Sequence, residues 1–238
     1  MLFRSIKDDY NVARFEEEAL SIIEKIHKSN EVAVMAGGSG LYIDSVCHGI
    51  DEFPDADPEI REKIKEDFRE KGLEHIQEWL KELDPVYYSQ VDLDNPNRIR
   101  RALEVCLQTG KPYSAQRLNK QKDRPFNIIK VGLELPREEL YARINRRVDE
   151  MIEKGLVDEA GSVYPYRELN SLNTVGYKEL FRYFDGEISL DRAIEDIKTN
   201  TRRYAKRQLT WFSRDGSINW FPAGAVDEII KFLDVEIS

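Results

Sequence analysis

Apolar positions recur at helical spacing over residues 12–28, where Phe15, Ala19, Ile22, Ile23 and Ile26 share one face. The polar "SNE" ends that pattern. The unbroken apolar run "VAVM" (32–35) then predicts a short strand buried on both sides, as in a parallel sheet. "GGSG" (37–40) predicts a strand-to-helix turn, and "LYIDSVCHG" a helix stopped by Gly49. Helix, buried strand, glycine turn and helix in series predict an α/β fold.

The pattern changes at "DEFPDADPEIR" (51–61), where prolines and acids mark a linker and Asp57 can cap a helix with Pro58 at its first position. Residues 58–118 show only helical spacing. Ile60, Ile64 and Phe68 form one stripe, Leu73, Ile76, Trp79, Leu80 and Leu83 another, and a third helix starts near Asn95-Pro96 and ends at Gly110. "NIIKVGLEL" (127–135) predicts a strand that returns the chain to the sheet. Pro136 opens a long helix with Leu140, Ile144, Val148 and Met151 inward, and Gly155 closes it. Residues 189–212 are predicted helical. The chain thus reads as an α/β core over 1–52, a helical insertion over 53–125 and a second part of the core over 126–238, with C-terminal helices.

Composition narrows the class. Of 238 residues, 41% are hydrophobic, enough for a core, and 34% are charged, which fits long solvated helices. No stretch approaches the roughly 20 apolar residues that span a bilayer, and "MLFRSIKDDY" lacks the apolar centre of a signal peptide. Cys47 and Cys106 have no metal or redox spacing, so no disulfide and a reducing cytoplasm are expected. His27, His48 and His75 are scattered, and no metal ligand is assigned.

The net charge of −9 hides a segregation. Residues 97–124 carry +6 and residues 198–214 carry +6, which leaves −21 on the rest. Two basic blocks on an acidic body suit a polyanion, although a charge run is also an ordinary solvated helix face.

Within these blocks the spacing suggests chemistry. Arg143 and Arg147 lie at i,i+4 and could clamp a diphosphate. Pairing with Glu139 and Glu150 would explain them equally well. Arg98 and Arg101 share a helix face beside Asn97 and suit a phosphate backbone, with Ile99, Leu103 and Cys106 turned to the core. "TRRYAKRQLTWFSR" (201–214) mixes cations with Tyr204, Trp211 and Phe212, which could stack bases or could belong to the core. In "SLNTVGYKEL" (171–180), Gly176 could offer backbone N–H groups to a phosphate or simply cap a helix.

Taken in order, "AGGSGLYIDSVCHGID", "DADPEIR", "NPNRIRRALEV", "ARINRRVDEMIEKGLVDE", "NTVGYKEL" and "YAKRQLTWFSRD" resemble the blocks of the tRNA dimethylallyltransferase (isopentenyltransferase) family, over residues 10 to 221 or so. The resemblance implies a P-loop kinase-like α/β core, with its N-terminal part missing from this chain, and a helical insertion that grips the tRNA anticodon stem-loop. It implies transfer of a dimethylallyl group from dimethylallyl diphosphate to the exocyclic amine of the adenine 3′ of the anticodon, assisted by Mg²⁺. The family's P-loop and general-base Asp lie upstream of the glycine–serine turn, so little transfer is expected from these residues alone.

By the same resemblance Ser39 contacts the target nucleotide and is the catalytic candidate, while Arg143 and Arg147 belong to the diphosphate-binding helix. The tRNA contacts implied are Ser39, Arg61, Asn97, Arg98, Ile99, Arg100 and Arg101. The turn Asn173, Thr174, Val175, Gly176, Tyr177 and Lys178 is implied as well, as are Lys206, Arg207, Gln208, Leu209, Thr210, Trp211, Phe212 and Ser213. A cytoplasmic monomer acting away from membranes is expected. The rival readings are a non-enzymatic RNA-binding fragment, a P-loop kinase relative acting on a small metabolite, and prenyl transfer to free adenine nucleotides.

Overall fold

The computed structural model describes residues 5–8, 10–118 and 121–237. It is mostly helical with one small parallel sheet, an α/β fold. Two compact units share the chain. One holds the described residues of 1–15, 22–43 and 125–238, and the other those of 16–21 and 44–124. The helical unit is therefore wider than the span 53–125 suggested by the sequence. It takes in a strip of α1 (Val12–His27) and the second half of α2 (Gly40–His48).

In the helical unit the local signals act where they were read. Asp57 accepts from the backbone N–H of Glu59 and Ile60, and Pro58 opens α3 (Pro58–Leu83). α3 kinks at Gly72, where φ is 81°. Asp84 joins α3 to α4 (Pro85–Tyr88). Its fully buried carboxylate accepts from Tyr87 N, Ser114 N and Ser114 Oγ, so its charge is satisfied by three donors. Asn95 caps α5 (Pro96–Thr109), and Gly110 ends it at φ 66°. A short α6 (Tyr113–Gln116) follows. Ile64, Ile76, Leu80, Tyr87, Ile99, Ala102 and Leu103 form the core between α3, α4 and α5.

In the other unit β1 (Lys130–Glu134) pairs in parallel with β2 (Ile218–Pro222). A parallel pair needs a crossover. It is supplied by α7 (Arg137–Glu153), α8 (Leu156–Val163), α9 (Tyr177–Phe184) and α10 (Leu190–Phe212), and α11 (Val226–Ile237) follows β2. Gly132 sits opposite Trp220, where a Cβ would come within 2.6 Å of the indole, so the strand tolerates only glycine there without a shift. The core gathers Val148, Leu156, Ala160, Leu172, Leu180, Phe181, Ala193 and Ile197 from the crossover helices.

Two expectations fail. "VAVM" is not a buried strand: the segment has no regular secondary structure, and Val34 is 86% exposed. An apolar run becomes a strand only where a ladder receives it, and β1–β2 is the only ladder among the described residues. Ile22, expected inward, is likewise exposed, and the buried residue of α1 is Glu16.

Candidate functional site

The glycine–serine turn lies on the C-terminal half of α10, within one unit. Gln208 Nε2 donates to Gly38 O at 2.6 Å. A Cβ on Gly38 would fall 2.2 Å from that amide nitrogen, and one on Gly40 2.3 Å from the Trp211 ring. Gly40 is thus required by close approach to a rigid ring, whereas at Gly38 the end of the Gln208 side chain could move aside. Ser39 stands between them, exposed, with its carbonyl accepting from Ile43 N at the start of α2. Its backbone neighbours on either side meet Gln208 and Trp211.

Beyond this seat, α10 exposes Lys206, Arg207, Leu209, Thr210 and, just past its end, Ser213. Trp211 and Phe212 are half-buried, and Trp211 has Gly40 at its edge and the Arg214 guanidinium 5.6 Å from its centroid. Its ring packs against the turn with part of its surface still open. Tyr204 is the exposed aromatic of the run, with Arg207 5.8 Å from its ring.

On α7, Ile144 and Val148 face inward as expected. The neighbouring polar positions bind α10. Arg202 Nη1 donates to Asn145 Oδ1 at 2.6 Å, and Lys198 reaches Asp149 at 2.8 Å. Arg143 and Arg147 are exposed and have no ion pair among the described residues; Glu150 pairs with Arg146 instead. The intrahelical pairing that would have explained them away is absent there.

The Gly176 turn behaves differently from one of its two readings. The Gly176 N–H does not point to solvent: it donates to Glu179 Oε2 at 2.8 Å, while Asn200 Nδ2 donates to Oε1 at 2.7 Å. Glu179 is 5% exposed, so this turn is a helix cap tied to α10 rather than an open amide cradle. Asn173, Thr174 and Lys178 remain at least partly exposed, Val175 and Tyr177 are half-buried, and Gly176 is buried. The Tyr177 hydroxyl donates to Glu159, and that bond, with burial, pushes its pKa up to about 12.

In the helical unit α5 sorts its block. Arg98 is exposed with no side-chain partner among the described residues, and Asn97, also exposed, accepts from Arg100. Arg100 lies 5.6 Å from the Phe68 ring centroid with a buried, unpartnered Nε. Ile99 is 0% exposed, so its side chain belongs to the core, as its helical phase requires, and only its backbone is left to meet RNA. Arg61 and Arg101 converge on Glu104 at 3.3 and 3.1 Å. The 97–124 block is less free than its charge suggests. Arg124 is buried against Glu16 and the carbonyls of Ser45 and Val46, Lys122 pairs with Glu52 and Glu16, and Lys120 lies outside the described residues. Glu104, Glu179 and Asn200 were not anticipated. Glu104 sits three residues from Arg101, a legible helical spacing, but its second partner is 43 residues away.

Fold and sites define an α/β protein whose two units each carry an arginine-rich surface. The family model described as IPP transferase matches residues 2–215, and the chain belongs to that family. It is 51% identical to tRNA dimethylallyltransferase 2 of Parabacteroides distasonis, over 98% of this chain and 78% of that one. It is 51% identical to the tRNA dimethylallyltransferase of Christiangramia forsetii, over 91% and 72%. Among solved structures, it resembles the tRNA isopentenylpyrophosphate transferase of Bacillus halodurans with TM-score 0.66 and 33% identity, covering 98% and 76%. A eukaryotic dimethylallyltransferase acting on tRNA gives TM-score 0.71 at 25% identity, covering 95% and 60%.

Proposed function

We propose that the protein transfers a dimethylallyl group from dimethylallyl diphosphate to the exocyclic amine of the adenine 3′ of the anticodon in tRNA. The observation that carries the reading is the glycine–serine turn seated on the basic half of α10, which puts the exposed Ser39 on the same unit as those cations. In the reaction a C–N bond forms at the allylic carbon, its C–O bond to diphosphate breaks, and the amine's proton passes to solvent. Ser39 Oγ orients the target nucleotide. Arg143 and Arg147, exposed and unpaired among the described residues, receive the charge that grows on the departing diphosphate. Arg61, Asn97, Arg98 and Arg101 of the helical unit, with the exposed residues of 173–178 and 206–213, hold the anticodon stem-loop by its phosphates.

The sheet-bearing unit is read as part of a P-loop kinase-like core, and the protein as a cytoplasmic monomer. Mg²⁺ enters this proposal only as an ion the diphosphate brings with it. Among the described residues no three His, Cys, Asp or Glu side chains gather into a metal site, and no step is routed through the metal.

The test is transfer by the protein as encoded by its gene, with an anticodon stem-loop, dimethylallyl diphosphate and Mg²⁺. The expected product carries one dimethylallyl group on that adenine, and Arg147→Ala lowers kcat/KM for the donor at least about tenfold while leaving stem-loop affinity intact. Binding without product would favour the RNA-binding reading, and a modified small metabolite the kinase-like one.

A further inference from the structure

A carboxylate in the middle of an RNA-facing arginine cluster has the wrong charge for the task, and Glu104 is such a residue. Its side chain is 12% exposed, while those of Arg61 and Arg101, which meet it, are 51% and 39% exposed. The acid therefore lies at the base of the cluster and the guanidiniums at its mouth. Arg61 uses Nε on Oε1 and Arg101 uses Nη1 on Oε2, so most of each donor fork still faces outward.

We propose that Glu104 is a positioning residue for RNA recognition: it holds the guanidiniums of Arg61 and Arg101 side by side as a single phosphate clamp. The proposal rests on the tRNA reading above. Two guanidiniums brought together repel, and long side chains on separate helices wander; one carboxylate shared between them offsets the first and restrains the second. The platform beneath is firm. α3 and α5 pack through Ile64, Ile99 and Leu103, all buried, and Arg61 N closes the first turn of α3 on Asp57 O. Arg101 is further braced by the Phe53 ring, 5.8 Å from its guanidinium. Arg98, one turn earlier on α5 and unpaired among the described residues, supplies a third cation beside the clamp. The arrangement places one negative charge near the phosphates. In return the arginines are ordered before RNA arrives, so less freedom is lost on binding.

The sign of one substitution decides. Glu104→Gln adds a unit of positive charge to the cluster at almost constant shape. If Glu104 were only a bystander or a stabilising ion-pair partner, anticodon stem-loop binding would tighten or stay the same, and its salt dependence would steepen. If Glu104 positions the pair, binding weakens about three- to tenfold, the scale of one ordinary hydrogen bond, and the loss appears in the KM for tRNA rather than in kcat. Arg101→Lys keeps the charge and removes the planar fork. It should weaken binding to a similar degree and, combined with Glu104→Gln, add little more. Thermal melting accompanies each variant, and if Glu104→Gln does not fold, Arg101→Lys decides alone, with unchanged affinity overturning the proposal. Tighter or unchanged binding by a folded Glu104→Gln overturns it too, while leaving the tRNA reading standing. If the parent protein shows no salt-sensitive stem-loop binding, the tRNA reading fails and this inference fails with it.

Discussion

In the helical unit Arg61, Arg101, Lys122 and Arg124 are held by acids, whereas the cations in the C-terminal half of α10 are held by amides, hydroxyls and aromatic faces. Arg61 and Arg101 share Glu104, and Lys122 and Arg124 are committed to Glu16 and Glu52. On α10, Lys198 meets the acids Asp149 and Glu195; Arg202 bonds Asn145 and Thr199, Arg203 bonds Asn200, and Arg207 lies over Tyr204. Two blocks of equal formal charge therefore do unequal work. One uses much of its charge to build a helical unit. The other keeps its charge outward and relies on neutral groups for order. Formal charge along a sequence measures neither exposure nor pairing.

The contrast extends to glycine, and there the largest effect is expected. Gly40 is needed because its neighbour is a tryptophan ring at 2.3 Å from a would-be Cβ, whereas Gly110 is needed for its φ of 66° with nothing within 4 Å. Gly40→Ala must push the turn off Trp211 or displace the ring. A stability loss of about 1–3 kcal/mol is expected, with turnover falling about a hundredfold as Ser39 moves. Gly110→Ala strains a helix end remote from that turn in sequence, and should cost about 1 kcal/mol with little loss of turnover. Denaturant melts and kinetics on both variants check the pair. Equal losses of turnover would dissolve the distinction between a seat for Ser39 and an ordinary helix stop.

A smaller effect separates the cation blocks themselves. Replacing Arg203, Lys206 and Arg207 by Ala should lower the magnitude of the log–log salt slope of stem-loop binding by about 0.7 to 0.9 for each phosphate left without its cation. Replacing Lys122, whose ammonium is committed to Glu52 and Glu16, should leave the slope nearly unchanged and lower Tm instead. A salt titration with a melting curve for each variant tests this. A large slope change at Lys122 would mean that internal pairing does not keep a cation from RNA.

Much of this was legible in local spacing, and most of the failures are long-range. Asp57-Pro58, Asn95, Gly110 and Gly155 mark helix ends because a cap is made by residues within a turn of each other. That Arg143 and Arg147 share one exposed face of α7 was legible for the same reason. "VAVM" forms no strand because pairing, not composition, makes one, while "INWFP" forms β2 with a segment far upstream. The commitment of Arg124 to Glu16, 108 residues away, is invisible to any window. The bond from Gly176 N–H to Glu179, three residues on, lay within reach, since an acid at that spacing after a turn is a capping signal.

The smallest effect concerns the acid that ends the basic run of α10. Asp215 follows Arg214 directly, yet it turns to Lys130 at 2.5 Å and to Ser217, not to the cations of the helix. It thereby ties the end of α10 to the start of β1, where Glu104 instead ties arginine to arginine. The Lys130 ammonium, then the Ser217 hydroxyl, hold its carboxyl well below the usual carboxylate range. A carboxyl with a depressed folded pKa contributes stability that is present above its unfolded value, about 3.9, and is lost as pH falls through the folded one. Asp215→Asn should therefore lower Tm by about 2–4 °C at pH 6 to 7, a modest amount because the pair is partly solvated. The difference from the parent should shrink below about pH 4, where the parent begins to lose the same interaction. Stem-loop affinity should not change, since Asp215 faces the sheet. A Tm difference that grew on acidification would reverse the sign of the linkage and show that Asp215 stabilises the fold in its protonated form; a gain in RNA affinity would place it among the α10 cations after all.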